Sequence, residues 1–198
     1  MTGTLGYYQR NAARYVADTV GVDLSALRER FLSKIPLGGS ILDAGCGSGR
    51  DSLAFLQRGY QVCAFDAVPE IARLAAELIQ QPVRVQRFQE LDERAAYDGI
   101  WACASLLHVP TAEIPNAFQR LWAALKPNGV LYLSLKHGDG ERVDAQGRHF
   151  TDATEARLHG WLASLQDVAA IDCWLTKDER PNHSEIWLNA LIHREANE

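Results

Sequence analysis

Residues 39–51, GSILDAGCGSGRD, restrict the chain more than any other stretch. Ile41 and Leu42 form a short apolar run that ends in Asp43. Glycines then alternate at Gly45, Gly47 and Gly49 before Arg50 and the helix-like SLAFLQRG. The pattern predicts a buried strand, a tight turn and a helix start. Glycines in such a turn take backbone angles other residues avoid, and they let a ligand approach with no Cβ in the way. Amides at a helix start favour an anionic group. An acid, Asp43, stands just before the turn and faces the same ligand. Counted from Gly45, the dinucleotide pattern G-x-G-x-x-G puts Arg50 where its third glycine belongs, so that frame fails. The frame that fits is D-x-G-x-G-x-G-R.

A second acid follows where such a turn needs one. Asp66 ends the apolar run Val62, Cys63, Ala64, Phe65, at 23 residues beyond Asp43. An acid about 20 residues on, at the tip of the second strand, can take two ribose hydroxyls. Capping the helix that starts near Pro69 is its structural alternative. Further along, helical spacing and strand-like runs alternate. Ile71, Leu74, Ala75 and Leu78 share a helix face, and Val83 and Val85 begin a third strand ending near Gln89 to Asp92. Residues 97–105 form a fourth strand, Thr111 starts a helix, and residues 130–135 are a continuous apolar strand after Lys126-Pro127-Asn128-Gly129. Alternation of this kind implies a parallel sheet wrapped by right-handed crossovers, with its ligand beyond the carboxyl ends of the strands. Gly45, Asp66, Glu90, His108 and Lys136 all follow strands and should meet at that edge.

With these residues in place, the chain resembles the class I S-adenosylmethionine-dependent methyltransferases over nearly its whole length. The stretch LDAGCGSGRDSLAFLQRGYQVCAFD looks most like the small tellurite-resistance methyltransferases. The resemblance implies an α/β fold: a single Rossmann-like domain whose seven-stranded, mostly parallel sheet has an antiparallel last strand and helices on both faces. It implies S-adenosylmethionine as cofactor. The glycine backbone of Gly45, Cys46, Gly47, Gly49 and Arg50 would lie along its methionine part, with Asp43 at the ammonium and Asp66 at the ribose. Glu90 and Leu91 would flank the adenine. The fourth strand's far end, near Ala104, would reach the transferable methyl, and Tyr8 would line the site from a segment folded over the cofactor. His108 then stands where chemistry occurs, as a base or a substrate contact, and His137 and His149 could also titrate near neutral pH. The acceptor is expected to be a small molecule, with a thiol or a metalloid oxyanion among the candidates. A nicotinamide-dependent oxidoreductase would explain Asp66 but not the glycine frame. A non-catalytic cofactor-binding protein would lack an acceptor site.

Elsewhere the sequence sets bounds. Residues 1–36 should form a helical segment packed on the core and residues 37–198 the cofactor-binding domain. Asp23 is expected to cap a helix carrying Leu24, Leu27, Phe31 and Ile35, and Asp152 with Glu155 has the form of a capping box for a later one. Between them, residues 136–150 form a long polar loop, a candidate lid. The link KDERPNHS between the closing strands is short enough for a hairpin, and it carries Arg180 and His183 as substrate candidates. At 198 residues, 47% hydrophobic and 23% charged, the chain suits one globular domain. A net charge of -5 without a Lys/Arg cluster argues against a phosphate-tracking nucleic-acid surface. No signal-peptide pattern or membrane-length apolar run is seen, and a cytoplasmic protein is expected. Cys46, Cys63, Cys103 and Cys173 lack metal-ligand spacing and read as small buried residues, so no metal site is expected.

Overall fold

The computed structural model describes residues 3–180 and 183–196. Chain order is α1 (Gly3–Thr19), α2 (Ser25–Leu32), β1 (Ser40–Ala44), α3 (Arg50–Gln57), β2 (Gln61–Asp66), α4 (Pro69–Ile79) and β3 (Arg84–Val85). Then come β4 (Tyr97–Cys103), α5 (Ile114–Ala124), β5 (Leu125–Lys136), β6 (Glu141–Val143), β7 (His149–Thr151), α6 (Glu155–Leu162), β8 (Val168–Lys177) and β9 (Ile186–Arg194). Seven strands form one sheet in the order β3-β2-β1-β4-β5-β9-β8. Pairing is parallel from β3 to β5, and β9 runs antiparallel to both β5 and β8. β8 is therefore parallel to β5, and the link from β8 to β9 lies at the same carboxyl edge as the glycine turn. Pro181 and Asn182 of that link fall outside the described residues.

Each face of the sheet buries one set of side chains because alternate strand residues point opposite ways. Leu131, Leu133, Leu135, Leu188, Ala190 and Ile192 pack under α5 and α6, against Phe118, Leu121, Leu158 and Leu162. Trp101, Tyr132 and Leu191 pack on the other face under α2 and α3, against Phe31, Ile35 and Phe55. There the rings of Trp101 and Tyr132 stack at 3.9 Å. α2 thus supplies core, whereas α1 lies on α4 through Ala12, Val68 and Ile71.

Several local expectations are corrected. The Asp23 carboxylate accepts the Ser25 amide at 2.8 Å but stands one residue ahead of the helix boundary, which is Leu24. α5 begins at Ile114, not Thr111, which puts Pro115 in its first turn where no amide partner is lost. The Lys126–Gly129 stretch lies within β5 as an irregularity, with Asn128 at φ 61°. Asp152 does not cap α6; Thr154 does, its hydroxyl accepting the Arg157 amide, while Asp152 pairs with Arg142. The polar loop is no bare excursion, since β6 and β7 close it into an antiparallel hairpin. Of the cysteines only Cys46 is buried, and Cys63 is exposed.

Candidate functional site

β1 delivers Asp43 to the sheet edge, and the three glycines turn the chain into α3 with φ values of 76°, 54° and 79°. Those left-handed angles are why glycine stands there. Space requires it as well. A Cβ on Gly45 would come within 2.5 Å of the Ser105 Cβ, and one on Gly47 within 2.7 Å of the Tyr15 hydroxyl. The amides of Gly45 and Cys46 both donate to the Phe65 carbonyl at 2.9 Å, which fixes the turn on the end of β2.

A cavity of about 730 Å³ opens over this turn, within the range of small-molecule sites. Asp43, Gly45, Cys46, Gly47, Arg50, Asp66, Ala104, His108 and Tyr8 all line it, so those nine sequence candidates come together as expected. Gly49 sits behind the wall, close to Ala75 and Ile79 of α4. Glu90 and Leu91 are not brought to the cavity. β3 is only two residues long, so the chain bends early into a 3-10 turn at Phe88–Glu90. Gln86, Arg87, Phe88 and Gln89 form the wall instead. The Glu90 carboxylate folds back onto the Arg87 amide at 2.8 Å, and Leu91 lies in the core, 1% exposed. His137 is likewise absent from the wall, pairing its strand with Ala153.

Charge at the glycine end is organised around a residue the sequence reading missed. The Asp51 carboxylate, in the first turn of α3 and 5% exposed, accepts from Arg28 at 2.7 Å, Arg50 at 2.8 Å and the Trp101 indole at 3.1 Å. Burial opposes its ionisation, but the Arg50 and Arg28 guanidiniums outweigh burial and hold its carboxyl below the usual range. Arg50 also donates to the Thr19 carbonyl at 3.0 Å and so ties α1 to the turn. An acid next to Arg50 at a helix start was the available signal. Asp43, 2% exposed, accepts the Ser52 hydroxyl at 2.7 Å. Burial, with the negative Asp51 nearby, pushes its pKa up to about 7. Asp66 receives the Gly47 amide at 3.1 Å and the Val68 amide at 2.9 Å. Burial raises its pKa to about 6 against those bonds. Cys46 is a small filler whose thiol burial pushes up, not a nucleophile.

The far end of the cavity is aromatic and charge-paired. Phe150, Trp187, Tyr8 and His108 line it, together with Lys136, Arg148 and Arg180. Each cation has its carboxylate: Lys136 with Glu185 at 2.9 Å, Arg148 with Asp144 at 2.7 Å, Arg180 with Asp178 at 2.6 Å. His183 also lies on the wall, 3.1 Å from Glu185. On the floor, the buried Asn189 amide joins the Tyr132 hydroxyl at 2.7 Å to Thr176 at 3.0 Å. The His108 Nδ1 stands 2.7 Å from the His149 carbonyl oxygen, and its Nε2 3.0 Å from the Tyr8 hydroxyl. A carbonyl only accepts, so Nδ1 carries the proton and Nε2 is the basic nitrogen. Burial lowers the His108 pKa to about 4, so the ring is neutral near pH 7 and does not titrate there.

The chemistry of this donor set fits a nucleoside with a cationic amino-acid tail. The buried Asp43 and the half-buried Asp66 flank a backbone cradle a side chain would fill. The guanidinium at the turn is already spent on Asp51, where a pyrophosphate would need it. Among the described residues, no helix is long and apolar enough to cross a membrane.

Comparison with known proteins agrees with this geometry. The family described as a methyltransferase domain matches residues 8–171. The ubiquinone biosynthesis O-methyltransferase of Xanthomonas axonopodis pv. citri (strain 306) is 36% identical over 107 residues, 50% of this chain and 44% of that protein. That of Xylella fastidiosa (strain M23) is 36% identical over 121 residues, 56% of this chain and 48% of that protein. The chain thus spans about half the length of the curated relatives it matches. Among solved structures, the Burkholderia thailandensis 1,6-didemethyltoxoflavin-N1-methyltransferase, with bound 1,6-didemethyltoxoflavin and S-adenosylhomocysteine, aligns with TM-score 0.75 and 25% identity, covering 96% of this chain and 85% of that one. A SAM-dependent methyltransferase from Methanosarcina mazei aligns with TM-score 0.72 at 20% identity, over 89% of this chain and 100% of that one, a likeness of fold.

Proposed function

The chain belongs to the methyltransferase domain family, and from that premise we propose that it transfers the methyl group of S-adenosylmethionine to a hydroxyl on a small aromatic acceptor. One observation carries the reading. A single cavity joins the glycine turn, Asp43 and Asp66 at one end to a neutral, half-buried His108 among aromatic rings at the other. When bound, the cofactor supplies an electrophilic sulfonium methyl. The chain's own residues do the rest. Asp43 faces the cationic tail, Asp66 takes the ribose hydroxyls, and the Gln86–Gln89 wall flanks the base, replacing the expected Glu90 and Leu91. Phe150 and Trp187 hold a flat acceptor, and α1 with the β6–β7 hairpin excludes water. Orientation alone is worth about 7–11 kcal/mol in well-aligned systems. Proton removal by His108 adds roughly 10²–10⁴-fold.

The hydroxyl acceptor is favoured over the thiol or metalloid oxyanion of the sequence reading for two reasons. The three cations at the aromatic end, Lys136, Arg148 and Arg180, are each already paired with a carboxylate. The relatives named above are O- and N-methyltransferases. The test is formation of S-adenosylhomocysteine with panels of phenols, thiols and metalloid oxyanions; turnover with thiols or oxyanions but no phenol would replace the acceptor class. For His108→Ala we expect turnover to fall about 100-fold or more with cofactor affinity nearly unchanged; full activity would make His108 structural.

A further inference from the structure

The basic nitrogen of His108 is not open to the cavity: its lone-pair direction is taken by the Tyr8 hydroxyl, delivered by α1. The rings of the two residues meet edge to face at 5.2 Å, and Phe150 closes the imidazole from another side at 4.9 Å. An acceptor in the cavity therefore meets the phenol before the imidazole. Burial raises the Tyr8 pKa, and the nearby Arg148 guanidinium opposes that rise by favouring the ionised form. The long 136–150 segment thus reaches His108 twice, through the His149 carbonyl at Nδ1 and through Arg148 at Tyr8. A solvated excursion would have no reason to do either.

From this geometry we infer that Tyr8 is a catalytic proton relay, and that the acceptor class is one that must lose a proton, a phenolic or enolic hydroxyl. The inference rests on the proposed methyl transfer and names its proton path. The acceptor O–H bond breaks and its proton passes to the Tyr8 oxygen. The Tyr8 proton passes to Nε2 of His108, forming a new N–H bond. The acceptor oxygen uses the freed electron pair to take the methyl group. Charge balances because the positive charge brought in on sulfur leaves the step on the imidazolium, which gives its proton to water when the product departs. Arg148 is a positioning residue that stabilises the phenolate passed through on the way. The groups facing His108 are Tyr8 from α1, Arg148 and His149 from the hairpin, and Lys136, paired to Glu185, from the end of β5. The cations resist a lasting imidazolium, which speeds release of the proton.

Two measurements on the full chain test this. Nitrogen-15 NMR of the histidine rings, without acceptor, should show His108 protonated at Nδ1, with Nε2 losing its hydrogen-bonded shift in Tyr8→Phe. A wild-type ring protonated at Nε2 would overturn the relay, because that nitrogen could accept nothing. The second measurement is turnover along a series from phenol to nitrophenols already ionised at the assay pH. Tyr8→Phe should lose roughly 30-fold or more on the least acidic member and under about threefold on the ionised ones. Arg148→Gln should follow the same gradient with partial rescue by Arg148→Lys. An equal loss across the series makes Tyr8 a packing residue and overturns the relay. If no phenol is methylated by the wild type, the acceptor reading falls, and the ring tautomer still decides the Tyr8–His108 contact.

Discussion

Asp66 carries the cofactor reading at the level of a single side chain. Both its oxygens are held by backbone amides, from Gly47 and Val68, so its orientation is set before a ligand arrives. Lone pairs remain on each oxygen, and a carboxylate so fixed can accept from two ribose hydroxyls. Asp66→Ala should weaken S-adenosylhomocysteine binding about 10- to 100-fold, the value of one or two hydrogen bonds to a charged group, while leaving the fold intact. Equal affinity in calorimetry would remove the ribose assignment. Asp43, the glycines and Asp66 were legible in sequence because a strand, its turn and the next strand tip are fixed by contiguous chain. Asp51, Tyr15 and Arg148 were not, because their roles depend on partners supplied by folding: Arg28 from α2, the Gly47 backbone and the Tyr8 phenol.

Among elements, the docking of α1 on the glycine turn shows how local and distant constraints meet. Tyr15 puts its hydroxyl where a Cβ on Gly47 would stand, and Arg50 clasps the helix end at Thr19. Gly47→Ala therefore faces two costs, a left-handed backbone of about 1–2 kcal/mol and a collision with Tyr15. We expect a loss of about 2 kcal/mol or more in urea unfolding, and adding Tyr15→Phe should recover only the collision's share. Full recovery would mean that the backbone angle is unstrained; none would mean that the helix does not press on the turn. The same distinction explains where elements were misjudged. The periodicities of α3 to α5 are properties of their own residues. The length of β3, the hairpin in residues 141–151 and the cap at Thr154 follow from what lies alongside. β3 ends after two residues as Phe88 turns into the core, and that shift moved the cavity wall from Glu90 and Leu91 to Gln86–Gln89.

On the scale of the whole molecule, the sheet gathers the carboxyl ends of β1, β2, β4, β5 and β8 at one rim, and burial destabilises the carboxylates that end β1 and β2, Asp43 and Asp66. Asp43 is the sharpest case. Its folded pKa of about 7 lies above the ordinary carboxylate value of about 3.9. Between these values the folded protein holds a proton that the unfolded chain has given up. The resulting contribution to stability is complete below about pH 4 and is lost as pH rises through about 7, with a limiting slope of about 1.4 kcal/mol per pH unit. Asp66 acts the same way up to about pH 6, and His108, its pKa lowered to about 4, acts oppositely between there and its unfolded value near 6.5. Asp43 alone of these three spans the interval from about 6.5 to 7.5, and Asp43→Asn should flatten the fall in urea midpoint there. An ammonium beside Asp43 favours its charged form, so S-adenosylhomocysteine binding at pH 6.5 should expel a proton. Titration calorimetry in buffers of different ionisation heat reads that directly. Proton uptake, or release undiminished in Asp43→Asn, would show that the cationic tail rests elsewhere on the rim.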